Sequence, residues 1–322
     1  MKKYFGRIVG MILLVVLGAS MAQAQQLHRR TQFVFNTYLV NPAVVGTKTY
    51  SPIMASYRNQ WTGFDNAPTT YTLSGHTQLP NKIGLGGIAY HDNTGGAISR
   101  TGVELTGSYH VDLNNQDAIS FGLSGVVSQY KFDNTDLVVF DPADQALIGG
   151  IESQVNFDAN FGMLIFGPNY FFGISIPQII QTKLKLESNG TPEDNRNTRH
   201  YYFMGSYKYY ITEDIDLQPS ALVKFVVASP VQFDVNVKVT FKDMIFAGLT
   251  YRHKDAVAFM AGIEWNQFAF GYAYDLTVTD ARNFSPHTHE ITLGYYIPRK
   301  RGGFTDRSLL GPKVISRRRV IK

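Results

Sequence analysis

The chain has 322 residues, with no cysteine, 13% aromatic residues and only 17% charged residues. The lack of cysteine excludes disulfides and thiolate chemistry, and few charges with many Tyr and Phe favour a membrane barrel over a soluble domain. The formal net charge of +5 is unevenly distributed, since residues 25–298 hold 18 basic and 24 acidic side chains while residues 299–322 hold nine basic ones. A generally basic surface that would bind nucleic acid is therefore not indicated.

The first element is a secretory signal peptide at residues 1–24. A basic start precedes an apolar run at residues 8–17, and Ala22-Gln23-Ala24 offers a small-x-small cleavage site. We therefore expect an exported mature chain that begins at Gln25. No later window approaches the roughly 18 consecutive apolar residues that a transmembrane helix needs.

Residues 25–50 form a second region, which precedes the first strand. The stretch from Gln32 to Gly46 is too apolar to remain a solvated linker. It is also too short before Pro42 to add another membrane strand. We predict that this N-terminal region packs against or inside the domain that follows, residues 51–298.

Residues 51–298 show a hydrophobic period of two rather than a helical period. In the clearest run, residues 231–242, every second side chain is Val or Phe and the alternate ones are polar. A register shift of one residue would exchange all of them between the two faces. Fourteen such runs are predicted as strands, most with the about 9–11 residues that a tilted membrane strand needs: 53–61, 69–79, 82–92, 100–112, 117–132, 155–166, 169–176, 200–211, 214–226, 231–242, 243–251, 255–265, 266–275 and 287–297.

The connections between these runs differ on the two sides of the sheet. Tight turns, such as those at Pro80 and Asn114, alternate with longer links such as 133–154 and 177–199. Outer-membrane barrels have short periplasmic turns and longer extracellular loops. The sequence therefore predicts an all-β protein, a transmembrane antiparallel up-and-down β-barrel of about 14 strands in the outer membrane.

Strand parity assigns side chains to the lipid or to the lumen. Tyr57, Trp61, Tyr71 and Leu73 are expected to face lipid or its interface, where aromatic rings form girdles. Mixed charges on the other face predict internal salt bridges, or alternatively side chains that only hydrate a lumen. The residues with lumen parity are Arg58, Gln60, Thr72, Ser74, His76, Glu104, His110, Asp158, Lys208, Asp216, Lys224, Asp234, Lys238, Glu264 and Glu290.

Motifs for metal or catalytic chemistry are weak. His287-Thr288-His289-Glu290 places side chains on one strand face, but no third metal ligand follows at a recognisable spacing. No G-x-S-x-G nucleophile motif is present. We expect no metal, no cofactor and no catalytic residues. Five histidines fall at predicted extracellular strand ends, where they either tune binding with pH or act as amphipathic interface residues: His91, His200, His253, His287 and His289.

Two stretches resemble the PorP/SprF-type membrane proteins. In the first, Gln32 to Gly46, the marked positions are Phe35, Asn36, Asn41, Pro42 and Gly46. The second is the best-marked motif of that family. Its positions here are Tyr57, Arg58, Asn59, Gln60, Trp61, Gly63, Phe64, Asp65, Ala67, Pro68 and Thr69.

The resemblance implies an outer-membrane barrel of the type IX secretion system of Bacteroidetes. Such proteins are associated with secretion or surface attachment of cargo, including adhesins recognised through C-terminal domains, and with gliding machinery. They are not known as enzymes. A secreted cargo protein or its C-terminal domain, other secretion-system subunits including periplasmic ones, and outer-membrane lipid are therefore the expected partners.

Two regions are candidate contacts for these partners. In the loop 133–154, an apolar patch suited to docking is formed by Leu137, Val138, Val139 and Phe140. The alternative is a loop that folds into the barrel mouth. Both chain ends are expected in the periplasm. The tail at residues 299–322 is there either a solvated chain or a contact for an acidic periplasmic partner or the cell wall. Its basic residues of interest are Arg299, Lys300, Arg301, Arg317, Arg318 and Arg319. The alternative function is an outer-membrane porin or small-solute transporter.

Overall fold

A computed structural model describes residues 31–299, except for residues 64, 115, 134, 136–150, 184–196, 228 and 280–286. Two single-turn 3-10 helices, η1 (Thr37–Leu39) and η2 (Pro42–Val44), precede the first strand. The strand segments are β1 (Tyr50–Asn59), β2 (Thr69–Gln78), β3 (Ile83–Thr94), β4 (Ile98–Asp112), β5 (Ala118–Asp133), β6 (Ile151–Phe166), β7 (Tyr170–Ile176), β8 (His200–Tyr207), β9 (Tyr209–Tyr210), β10 (Ile215–Val226), β11 (Gln232–Phe241), β12 (Ile245–Arg252), β13 (Ala256–Trp265), β14 (Phe268–Thr277) and β15 (His287–Pro298).

These segments form a closed antiparallel barrel. Consecutive segments pair along the chain, except for β8 and β9, and β1 pairs with β15 along its whole length, from Tyr50 opposite Pro298 to Asn59 opposite His289. Only Lys208 separates β8 from β9, and both pair with β10, so they are two parts of one barrel strand. The segments therefore make fourteen barrel strands, and the predicted fold class is confirmed.

The apolar face of the strands points outward. In β11, Val235, Val237 and Val239 are 39–44% exposed, whereas Asp234 and Asn236 are at most 1% exposed. A soluble sheet would bury the valines instead. The exposed apolar belt is the surface that lipid covers in an outer-membrane barrel. No helix among the described residues is long and apolar enough to span a bilayer.

Several strand ends differ from the predicted bounds by a few residues. The first strand is predicted to reach Trp61, whereas β1 ends at Asn59, and the strand predicted to begin at residue 155 begins at Ile151. Trp61 has a φ of +58°, a left-handed conformation that interrupts extended backbone. Trp61 is exposed, but it lies in the connection after the strand, where its backbone N–H donates to Thr288 Oγ1 at 3.1 Å.

The two rims of the barrel differ in their connections. At one rim, here the turn rim, consecutive strands are joined by two to five residues. At the opposite loop rim, the connections 60–68, 134–150, 177–199 and 278–286 are longer. Short hairpins at 95–97 and 253–255 also occur there, so the alternation is less regular than predicted. In barrels of this kind the turn rim faces the periplasm.

Residues 31–49, which we name the plug, lie inside the barrel. Phe33, Tyr38 and Val44 are at most 2% exposed and share an apolar cluster with inward side chains of the strands. Thr31 contacts Glu290 near the loop rim, and the carbonyl of Lys48 accepts a hydrogen bond from Arg299 at the turn rim. The plug therefore runs through the length of the lumen.

Glycines in the barrel wall make room for the plug. A Cβ built on Gly84 would lie 2.6 Å from the carbonyl oxygen of Val45, and one on Gly122 would overlap the backbone of Pro42 and Ala43. Real side chains do not approach backbone so closely. Gly84 and Gly122 are thus required by the close approach of a second chain segment.

Candidate functional site

The plug is held by hydrogen bonds at successive heights of the lumen. Asn36 Nδ2 donates to Ser74 Oγ at 2.9 Å, and the Tyr38 hydroxyl hydrogen-bonds with Thr106 Oγ1 at 2.7 Å. Lower in the barrel, the backbone carbonyl of Val45 accepts from Ser108 Oγ at 2.7 Å. These partners lie on β2 and β4, so the plug is fixed to the barrel wall as well as packed against it.

Asn41 joins the plug to the opposite wall. Its Nδ2 donates to the carbonyl oxygens of Met163 at 3.2 Å and Ile174 at 3.1 Å, on β6 and β7. Its Oδ1 accepts from the backbone N–H of Ala43 at 2.9 Å and caps η2, where Pro42 is well placed because it has no N–H to satisfy. Two marked positions of the first motif, Asn41 and Pro42, therefore shape the plug.

The other marked positions of that motif also lie in the lumen. Phe35 packs on Phe246 with ring centroids 5.1 Å apart, and Gly46 has a φ of +76°. At Gly46 a Cβ would come within 2.9 Å of Gly84 Cα, so both the backbone angle and the space require glycine.

Arg58, from the second motif, is the centre of a buried ion cluster near the loop rim. Its guanidinium contacts Asp275 and Glu290 at 3.0 Å each. It also donates from Nη1 to Thr31 Oγ1 at 2.8 Å. Thr31 in turn donates from its backbone N–H to Glu290 at 3.0 Å and from its hydroxyl to Asp275. The cluster therefore ties the start of the plug to β1, β14 and β15.

Arg252 extends this cluster around the barrel. It contacts Asp255 at 2.9 Å, Asp275 at 3.3 Å and Asp234 at 3.7 Å, and its Nη2 donates to Thr31 Oγ1 at 3.1 Å. Lys224 adds a contact to Asp234 at 3.0 Å. The predicted internal salt bridges are thus present in the structure, and they continue from β10 to β1.

Sequence reasoning missed four members of the cluster: Thr31, Arg252, Asp255 and Asp275. Arg252 and Asp275 share lumen parity with residues already singled out and lie at the loop-rim ends of their strands. That signal was available in the sequence. The sequence holds no comparable signal for Thr31, because the role of this residue depends on the route of the plug through the lumen.

The rest of the second motif builds the connection between β1 and β2. The backbone N–H of Gln60 donates to the carbonyl of Pro68 at 2.9 Å, and that of Thr62 to the carbonyl of His287 at 2.9 Å. Gly63 has a φ of +103°. The motif thus combines one inward arginine with a folded loop at the rim; Phe64 lies outside the described residues.

Arg299 lies at the turn rim, and its side chain is engaged within the protein. It donates to Gln78 O and Gln78 Oε1 at 3.0 Å each, and to the carbonyls of Lys48 and Thr49. Burial lowers the pKa of its guanidinium. Arg299 therefore joins β15, β2 and the plug. Lys300, Arg301, Arg317, Arg318 and Arg319 lie outside the described residues, as do Leu137, Val138, Val139 and Phe140.

A cavity lies between the plug and the turn rim. Lys48, Lys208 and Lys238 line it together with Asp243 and Glu264. Burial, with the charges of Lys238 and Lys208, lowers the pKa of Lys48 to about 7. Lys208 is paired with Asp216 at 3.3 Å.

The histidines at the loop rim contact aromatic rings. His289 Nδ1 hydrogen-bonds with the Tyr272 hydroxyl at 2.7 Å, and His253 stacks on Phe233 with centroids 4.4 Å apart. His200 is instead buried. No group of three or more His, Cys, Asp or Glu in the described parts of the chain is arranged to hold a metal ion.

Ser108 and His110 form a close Ser–His pair beneath the plug. Ser108 Oγ is 3.4 Å from His110 Nε2, and both side chains are buried. Because Ser108 donates its hydroxyl hydrogen to Val45 O, it is neither open to a substrate nor activated by the imidazole.

The closed barrel, its outward apolar belt and its filled lumen define the class of protein as an outer-membrane β-barrel. The chain also matches the family of the type IX secretion system membrane protein PorP/SprF over residues 22–295, and it belongs to that family. No match was found among curated proteins.

Several solved structures are similar to this chain at low sequence identity. The toluene transporter TbuX of Ralstonia pickettii is 8% identical, with 82% of this chain and 93% of that chain covered and a TM-score of 0.50. A FadL homologue of Pseudomonas aeruginosa is 9% identical, with 77% and 90% covered and a TM-score of 0.47. The KdgM porin in complex with disordered oligogalacturonate is 10% identical, with 76% and 98% covered and a TM-score of 0.40. At these identities the likeness concerns the barrel fold alone.

Proposed function

We propose that this barrel supports the secretion or surface anchoring of an adhesin-like cargo protein, which it binds noncovalently at the loop rim through the cargo's C-terminal domain. Membership of a type IX secretion family supports a role in protein secretion. The candidate contact at residues 137–140 belongs to the loop rim, on the side expected to face the cell exterior.

The filled lumen is the observation that carries this proposal. The plug occupies the interior with buried Phe33, Tyr38 and Val44, and it is bonded to opposite walls through Tyr38 and Asn41. A porin needs an aqueous path through the barrel. Solute passage here would require the plug to give up its apolar core and these hydrogen bonds, so the plug favours a protein that acts through its rims.

The turn rim is the proposed contact for periplasmic subunits of the secretion machinery. The basic residues 300, 301 and 317–319 follow Arg299, which fixes the start of the tail at that rim. Exposed charges attract an acidic partner over about 8 Å at physiological ionic strength, and salt screens them. Truncation after residue 299 should reduce co-purification of such subunits while the barrel stays folded.

We further propose that the protein has no catalytic activity. The family is one of secretion membrane proteins, and Ser108 with His110 is covered by the plug. A lipase assay on the purified barrel in detergent should give no turnover above that of the same barrel carrying Ser108→Ala.

Loop replacement in the native cell tests the anchoring role. Exchanging residues 136–150 and 184–196 for Gly/Ser linkers of equal length should release the cargo into the medium, whereas exchanging the short hairpin 95–97 at the same rim should not. Co-purification from the native outer membrane identifies the cargo. Unchanged retention together with solute flux in liposome swelling would instead establish the porin alternative.

A further inference from the structure

A cavity of about 110 Å³ lies between the plug and the loop rim. Leu39, Val40 and Pro42 of the plug form one side of it. The wall opposite carries four charged residues: Arg100 and Glu104 of β4, Asp158 of β6 and Lys224 of β10. The cavity therefore combines an apolar floor with charged groups in the half of the lumen nearest the loop rim.

The surroundings of Arg100 favour binding of a planar anion by its guanidinium group. Arg100 is only 9% exposed. Its guanidinium carbon lies 5.3 Å from the centre of the Tyr90 ring and 4.9 Å from the centre of the Tyr130 ring. Because rings cover the guanidinium, hydrogen bonds are left to its N–H edge. Its Nε has no hydrogen-bond partner among the described residues. A carboxylate, which is planar, binds such an edge with two parallel hydrogen bonds, as a phosphate also can.

Asp158 supplies an acceptor in the same cavity. Its Oδ1 accepts from the backbone N–H groups of Ala159 at 2.8 Å and Ile180 at 3.0 Å. Its buried Oδ2 has no partner among the described residues. Leaving such a buried group unpaired is unfavourable, so the cavity is suited to a ligand that brings a donor as well as a carboxylate.

We propose that this cavity binds a polypeptide segment, with a carboxylate on Arg100, an amide N–H on Asp158 and an apolar side chain on the plug. The carboxylate belongs to a chain terminus or to an acidic side chain. A polypeptide carries a carboxylate, an amide N–H and an apolar side chain within a few bonds of one another. These groups complement the Arg100 donor, the Asp158 acceptor and the apolar floor of the cavity. The assignment of this segment to the cargo rests on the proposed function; the binding chemistry does not.

Direct binding to the purified mature barrel in detergent tests the site. The probes are acetyl-glycyl-leucine with a free carboxylate, the same peptide as its carboxamide, and glucuronate, with affinities measured by saturation-transfer NMR. The free acid should bind at least about 10-fold more tightly than the amide. Arg100→Gln should remove this preference, and Arg100→Lys should weaken it, because an ammonium lacks the planar fork.

The matched control is Lys254→Gln, which removes an exposed cation in the hairpin 253–255 at the same rim. It should leave the preference for the acid unchanged, and heat-modifiability on gels should show that all variants are folded. Equal affinity for acid and amide, or unchanged binding in Arg100→Gln, would overturn the site. Tighter binding of glucuronate with the same dependence on Arg100 would overturn the polypeptide in favour of an acidic sugar.

Cargo retention, measured in parallel, separates this inference from the proposed function. If loop replacement releases cargo and Arg100→Gln does not, anchoring stands and the cavity has no part in it. If peptide binding depends on Arg100 but removal of the barrel releases no cargo, the site stands and the anchoring role fails. Release of cargo by Arg100→Gln, with the barrel still folded, supports both.

Discussion

Arg58 links the best-marked family motif to the interior of the barrel. Its partners Asp275 and Glu290 lie on the two strands that precede the closing seam, and Thr31 lies at the start of the plug. All four side chains are buried. The loss of one charge would therefore leave the opposite charges unpaired in the barrel interior, where they lack the hydration that water would provide. The motif is thereby connected to closure of the barrel and to docking of the plug.

Arg58→Ala should therefore destabilise the barrel by about 3–5 kcal/mol, the usual cost of breaking a buried ion pair by removing one partner. Urea unfolding in detergent, followed by tryptophan fluorescence, measures this change. Lys131→Ala is the matched control, because its contact with Asp133 is largely exposed and should contribute only about 0–1 kcal/mol. Similar losses in the two variants would contradict the role of the cluster.

The lowered pKa of Lys48 should make the stability of the protein depend on pH. This pKa falls to about 7 in the folded protein, through burial and the nearby charges of Lys238 and Lys208, while an unfolded lysine titrates near ~10.4. Between these values the unfolded chain binds more protons, so the free energy of unfolding should rise from pH 7 to pH 10. In Lys48→Met this rise should be smaller. Parallel pH profiles for the two proteins would contradict the shift.

Strand β11 shows what periodicity determines at the scale of an element. Val237, near its middle, faces lipid, and its neighbour Lys238 lines the cavity at the turn rim. Val237→Arg should cost about 2–4 kcal/mol, as for cations at the bilayer midplane. Lys238→Arg, which keeps a cation on the lumen side, should cost much less. Refolding into lipid vesicles over a denaturant series measures both, and equal costs would contradict the assigned faces.

The strands could be predicted because alternation along the chain is a local signal. The runs at 69–79 and 287–297 correspond closely to β2 and β15. The end of β1 could not be predicted in this way, because the left-handed conformation of Trp61 depends on the loop that follows the strand at the rim. Which lumen residues meet was also beyond the sequence. The contact between Arg58 and Asp275 depends on register and on the route of the plug, both of which are non-local.

At the scale of the whole molecule, the barrel and the plug depend on each other. The wall supplies glycines and inward hydroxyls where the plug passes, such as Gly122 and Ser108. The plug in turn supplies apolar side chains such as Phe33 and Val44 that fill the lumen. A barrel of fourteen strands without such filling would be wide enough to leave space inside. We therefore expect the plug to determine whether solutes or ions can pass through the barrel.

Two glycines of the same strand test that dependence. A Cβ at Gly122 would collide with the plug at Pro42 and Ala43, whereas one at Gly125 meets nothing within 4 Å. Gly122→Val should displace the plug, lower stability by about 1–3 kcal/mol through overpacking and open an ion conductance in planar bilayers. Gly125→Val, the same change on the outer face of β5, should leave conductance at the level of the unmodified protein. If Gly122→Val folded and remained closed to ions, the lumen would be sealed by something other than residues 31–49, and the case for a protein that acts only through its rims would lose its main support.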